Sequence, residues 1–188
     1  MWSRMEEIRM NKIYCGVGSR EGFNMNGLPE GVAMKAISIA RWLHERGYTL
    51  RSGGAKGMDT AFEEGAGELK EIYLPFNGFQ GRYTTEQGCY ILKGAAKAEA
   101  ERVAEKHCPH WYNCGAFARS CHTRNVCQIM GYHLEVFSAF VICWTKDGKD
   151  SGGTGQAIRI ARAYEIPVYN LYNEADMKAL NAFLRTIA

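Results

Sequence analysis

Three glycine-rich stretches, widely separated in the sequence, hold the residue types best suited to capturing an anion. They are Gly16-Val17-Gly18-Ser19-Arg20, then Ser52-Gly53-Gly54-Ala55-Lys56-Gly57-Met58-Asp59, then Ser151-Gly152-Gly153-Thr154-Gly155-Gln156. Glycine lets backbone amides come close to a ligand because no Cβ intervenes. Where such amides open a helix, the positive end of its dipole completes a corner for phosphate. Ser19 adds a hydroxyl, and Arg20 adds a guanidinium able to grip a phosphate through two parallel hydrogen bonds. Lys56 would contribute a point charge. Asp59 suits ribose hydroxyls and equally suits capping its own helix. Thr154 and Gln156 stand where main-chain amides and short polar side chains meet an anion.

Two further groups could do chemistry. Glu63 and Glu64 are candidate acids, but paired-carboxylate catalysis needs a raised pKa, and solvent exposure is the simpler expectation. His107-Cys108-Pro109-His110, Cys114, Cys121-His122 and Cys127 offer soft ligands without the tight two-residue gap of a zinc knuckle. If 121–127 is helical, Cys121 and His122 point to different faces, so buried thiols and no metal are expected. Tyr83 and Trp111, in loops, are candidates to stack on a base.

The elements that must position these residues alternate in type. Apolar runs at 13–18, 48–50, 71–76, 136–144 and 167–171 read as strands, and 136–144 is apolar enough to be buried on both faces. Helical spacing or composition fills 29–46, 59–67, 85–106, 116–131, 156–164 and 175–187. This alternation predicts an α/β fold, a Rossmann-like three-layer sandwich with a parallel sheet of about five strands and helices on both faces. Right-handed crossovers then put all three glycine turns on one edge, where such sheets bind ligands. Residues 1–12 read as an N-terminal arm, and 13–188 as one domain.

The 188 residues are 46% apolar and 23% charged with a net charge of +3, ordinary values for a soluble globular protein. No apolar run approaches the roughly 20 residues of a membrane span. The first residues lack the apolar core of a signal peptide. Seven cysteines without framework spacing suggest reduced thiols, hence a cytoplasmic setting, or the host cytoplasm if the source is a phage. Lysine and arginine are scattered, with no basic stripe of the kind DNA binding wants.

Gly18-Ser19-Arg20, the run from Ser52 to Asp59, Arg124-Asn125, and Ser151-Gly152-Gly153-Thr154 with Ala157 together resemble the SLOG superfamily. That group joins the Rossmann-like domain of DNA-processing protein A (Smf) with the LOG phosphoribohydrolases. The resemblance covers roughly 13–171 and is nearer the Smf side, although this chain leaves no room for the flanking domains of Smf mediators. Arg159 stands where the LOG motif has its glutamate, which argues against LOG-type hydrolysis with its usual residues. The resemblance adds ligand or dimer contact for Arg124 and Asn125, and implies a homodimer or higher homo-oligomer.

The leading expectation is binding, for sensing or sequestration, of a nucleotide-derived, phosphate-bearing small molecule such as an ADP-ribose-like or cyclic-nucleotide signal. The predicted pocket is Gly18, Ser19, Arg20, Ser52, Gly53, Gly54, Ala55, Lys56, Gly57, Asp59, Arg124, Asn125, Gly152, Gly153, Thr154, Gly155 and Gln156. No cofactor is required, no membrane partner is implied, and nucleic acid is not expected as a partner. The alternatives are an N-glycosidic-bond-cleaving nucleotide hydrolase using Glu63 or Glu64, and a DNA-associated Smf-like factor.

Overall fold

The computed structural model of the chain describes residues 11–20 and 31–187. Most of the expected arm, the polar loop after Arg20 and the helix start at Pro29 lie outside the described residues. Six parallel strands form one sheet: β1 (Ile13–Gly18), β2 (Thr49–Ser52), β3 (Lys70–Tyr73), β4 (Cys89–Tyr90), β5 (Phe140–Trp144) and β6 (Val168–Asn170). Their order is β4-β3-β2-β1-β5-β6. The helices are α1 (Val32–His44), α2 (Met58–Ala66), α3 (Gly94–His107), α4 (Ala116–Met130), α5 (Gly152–Ala163) and α6 (Glu174–Thr186). This is the α/β Rossmann-like architecture that the alternation predicts, with one strand more than expected.

The period-two alternation of β1 and β5 sorts side chains between two cores. Tyr14, Phe140 and Ile142 face a cluster built from α1, α2 and α6, with Ala36, Ala40, Phe62 and Leu180. Cys15, Val17, Val141 and Cys143 face the opposite cluster, with Ala100 and Ala104 of α3, Val126 and Ile129 of α4, and Ile158 of α5. All five residues of β5 are buried, as a central strand covered by helices requires. Each large apolar side chain so removed from water contributes about 1.5–3 kcal/mol. Small residues set the spacing between α1 and α2. A Cβ on Gly65 would lie 2.2 Å from the Ile37 carbonyl oxygen and 2.7 Å from Ala40 Cβ, so α2 crosses directly over the alanine face of α1.

Three boundaries differ from the sequence reading; helix α5 begins at Gly152, four residues before the expected 156, so the glycines of the third turn form its first turn. The expected long helix over 85–106 begins only at Gly94, and the residues before it form the short edge strand β4. Gly88 allows this path, because its φ of +77° lets the chain turn back beside β3. Strand β5 starts at Phe140, since Ser138 leaves the strand path to hydrogen-bond Gln128 and Ile129 carbonyls at the end of α4. None of the described helices is long and apolar enough to cross a membrane, and all seven cysteines are free.

Candidate functional site

The strand order reverses at β1, which has β2 on one side and β5 on the other. Beyond the carboxyl ends of these strands lies a cavity of about 340 Å³, the position where sheets of this kind take ligands. All three glycine turns reach it. Gly18, Ser19 and Arg20 come from the end of β1, Ala55 and Asp59 from the turn into α2, and Ser151 to Thr154 from the start of α5. The fourth wall is α4, whose Cys121, Arg124, Asn125 and Gln128 recur at helical spacing along one face.

Arg124 and Asp59 form the buried floor. The Arg124 guanidinium lies against the backbone of Gly53, where a Cβ would come within 1.1 Å of Nη1, so any side chain at this position would displace the guanidinium. With the Gln128 amide oriented to satisfy both ends, its oxygen accepts from Arg124 Nη1 at 2.6 Å and from the Gly53 amide at 2.9 Å. Arg124 Nη1 also stands 3.8 Å from Asp59 Oδ2. Arg124 Nε, though buried, finds no acceptor among the described residues. A buried donor without a partner is uncommon enough in native proteins to call for an explanation.

Asp59 joins two turns. Its carboxylate accepts from the amides of Gly18 at 3.2 Å and Ala55 at 3.3 Å, tying the end of β1 to the turn after β2. Burial raises its pKa from the ordinary 3.8 to about 6, against the opposing pull of Arg124 and of the Ala55 and Gly18 amides; Glu63 pushes further upward. Burial also raises the Cys121 thiol, with Arg124 and Arg20 pulling the other way. The cavity therefore gathers cationic groups from Arg20, Arg124 and Lys146 around one titratable carboxyl.

Ten predicted residues thus line one cavity: Gly18, Ser19, Arg20, Ala55, Asp59, Arg124, Asn125, Gly152, Gly153 and Thr154. The others do not. Ser52 is buried and donates its hydroxyl to the Gly16 carbonyl, so it fastens β2 to β1. Gly53 lies behind Arg124, and Gly54 faces Ile72 and Leu74 in a small apolar cluster. Lys56 is exposed at the outside of the turn, so it does not supply the expected point charge. Gly57 packs against the Ser19 carbonyl and Gly155 against Asp150. Gln156 is fully buried, accepting from Asn125 Nδ2 at 3.1 Å and donating to the Ala104 carbonyl. Asn125 Nδ2 also donates to the Gly153 carbonyl, so Asn125 positions the α5 turn as well as lining the cavity.

The carboxylates expected as acids lie elsewhere. Glu63 is buried in an ion pair with Arg82 at 2.6 Å and stands 3.7 Å from Lys70, whereas Glu64 is exposed, and neither lines the cavity. Trp111 is buried in the core beside α4, not free to stack on a base. Tyr83 is exposed beside Gly78 and does not line the cavity; Phe76 and Phe117 are also exposed, 5.9 Å apart, both against Phe79, whose ring lies 5.6 Å from Arg124 Cζ. Sequence reasoning missed Thr145, Lys146, Cys121 and Gln128. Gln128 was findable as the residue one turn beyond Arg124 on the same helix face, and Lys146 as a cation just past the end of β5.

The fold and site together define a parallel α/β protein with a cationic cavity, lined by three glycine turns, at the switch in strand order. No family model matches the chain, and no curated protein sequence matches it. Among solved structures it is similar to DNA processing protein A from Helicobacter pylori, in a structure described for its unique single-stranded DNA binding mode. The TM-score is 0.48 and the identity 17%, over 87% of this chain and 67% of that one. The expectation against nucleic acid as a partner is at odds with that description, which is of single-stranded DNA binding.

Proposed function

We propose that the chain binds single-stranded DNA through its sugar-phosphate backbone, with one phosphate seated in the rim cavity. The observation that carries this is Arg124: a buried guanidinium with an unpartnered Nε, walling a cavity lined by residues of all three glycine turns. A phosphate there would accept from Arg124, Arg20 and the amides that open α5, the arrangement by which helix starts bind anions. Phe76 and Phe117 support a strand over an isolated nucleotide. They extend from Phe79, beside Arg124, to solvent, and exposed rings next to a cationic groove give successive bases a stacking surface.

The test is a titration of a fluorescent oligothymidylate with the full chain at several salt concentrations. Wild type is expected to bind with affinity falling as salt rises, at a slope of about −0.7 per neutralised phosphate. Gly153→Leu projects into open space, since a Cβ there meets only Asn125 Nδ2 at 3.8 Å. It should therefore keep its melting temperature and lose affinity more than tenfold. Salt-insensitive or absent binding by wild type, or equal binding by the variant, refutes the assignment.

A second reading, sensing or sequestration of a nucleotide-derived small molecule, is favoured by the size of the cavity, which is near the lower end for small-ligand pockets. Tighter binding of a mononucleotide or ADP-ribose than of the oligonucleotide, with the ligand recovered intact by chromatography, would select it. Cleavage of an N-glycosidic bond has no support from Glu63 or Glu64, which stand outside the cavity.

A further inference from the structure

Three residues from separate segments come together beside α4. Cys108 follows the last residue of α3, Cys114 follows the 3-10 turn Trp111–Asn113, and His122 sits in α4. Their ligand atoms all lie within 4.8 Å of one another. Ligand atoms around a tetrahedral zinc ion stand roughly 3.3–3.8 Å apart, given bond lengths of about 2.0–2.3 Å. Closing to that distance needs only small side-chain rotations. Sequence spacing disfavoured a metal because no tight cysteine pair exists; the fold replaces that pair with residues from three separate segments.

The imidazole is already prepared for coordination. His122 Nδ1 lies 2.7 Å from the side-chain oxygen of Gln156, which can only accept, so Nδ1 carries the proton. That leaves the lone pair on Nε2, the form in which a neutral imidazole binds metal. Gln156 cannot turn away. Its oxygen also accepts from Asn125 Nδ2, and its amide donates to the Ala104 carbonyl at 3.1 Å. Metal-binding histidines are typically oriented by such a partner on the other ring nitrogen. Cys108 is buried, while Cys114 and His122 are half-buried, so the cluster is shielded yet reachable from solvent.

We infer that Cys108, Cys114 and His122 form a binding site for a thiophilic divalent cation, with zinc as the fitting ion and water as a fourth ligand. Two thiolates balance the charge of the ion. Binding displaces one proton from each of the two thiols, and no oxidant or reductant is needed. The ion would pin the α3–α4 connection to α4. Through His122, Gln156, Asn125 and the Gly153 carbonyl, it would also brace the turn that opens α5.

The experiment is a cobalt(II) titration of the reduced, metal-stripped full chain. Wild type should take up one equivalent, giving a thiolate-to-cobalt charge-transfer band and the visible bands of a tetrahedral ion, both removed by zinc. Proton release read with an indicator should be about two per metal. Cys114→Ser and His122→Ala should each weaken cobalt binding more than tenfold, whereas Cys89→Ser, outside the cluster, should leave it unchanged. The absence of a cobalt spectrum in wild type overturns the site, as does a spectrum that survives both ligand substitutions. A Cys108–Cys114 disulfide that forms under reducing conditions in place of metal uptake would do the same. None of these outcomes depends on DNA binding, so either proposal can fail alone.

Discussion

Asp59 makes the stability of this protein depend on pH in an unusual direction. Its carboxyl titrates at about 6 in the folded chain against an ordinary 3.8, because burial outweighs Arg124 and the two amides that favour its charged form. Between roughly pH 4 and pH 6 the folded state holds a proton that the unfolded state has released. Stability from this group is therefore highest below pH 4 and falls as pH rises to about 6. About two pKa units at 1.36 kcal/mol each correspond to roughly 3 kcal/mol over the whole window. Of that, about 1.4 kcal/mol is recovered on moving from pH 7.5 to pH 5. Other groups titrate in the same range; burial holds the His107 imidazole below its usual value, which acts in the opposite sense. Urea unfolding of wild type and Asp59→Asn at both pH values isolates the carboxyl. The pH-dependent gain of wild type should exceed that of the variant by about 1.4 kcal/mol. Equal gains in the two proteins would refute the buried, cationically compensated environment assigned to Asp59. The same carboxylate opposes a bound phosphodiester, which does not itself titrate here. Oligonucleotide affinity should accordingly tighten as pH falls through 6, and should lose that dependence in Asp59→Asn.

Other expectations follow from single contacts. Gly53→Ala puts a methyl group where the Arg124 guanidinium lies, so stability should fall by about 1–3 kcal/mol and oligonucleotide affinity more than tenfold. Urea unfolding and the binding titration measure the two effects. Arg51, buried in β2, donates to Glu71 at 2.7 Å and to the Val136 carbonyl. Arg51→Ala should cost about 3 kcal/mol in urea unfolding, the lower end for breaking a buried pair because Glu71 keeps some solvent contact and the Tyr73 hydroxyl. A loss under about 1 kcal/mol would show that the pair contributes little.

The sequence made the frame legible because alternating apolar runs and helical spacing leave few topologies for a parallel sheet. Glycine turns after β1 and β2, and before α5, were therefore assignable to one rim before any contact was known. What spacing could not separate was a glycine facing a ligand from a glycine facing a neighbour. Gly152 and Gly153 open onto the cavity, whereas Gly53, Gly57 and Gly155 are glycines because another part of the chain passes where their side chains would be. Charge was ambiguous in the same way. Lys56 sits inside the motif yet points outward, and Lys146, outside every motif, lines the cavity. Glu63 reads as a surface acid on α2, but its pairing with Arg82 from the loop after β3 is a long-range contact that no local pattern announces. The Cys108, Cys114 and His122 cluster was hidden for that reason too, its members being brought together only by the turn between α3 and α4.

The convergence of the three turns on one anion is tested most directly by amide chemical-shift mapping of the full chain during titration with a short oligothymidylate. The account predicts that the amides of Gly18, Ser19, Ala55, Gly153 and Thr154 move together and saturate with a single dissociation constant, while Lys56 and Glu64 stay still. Shifts confined to surfaces away from this rim, or turns that respond with different constants, would contradict it.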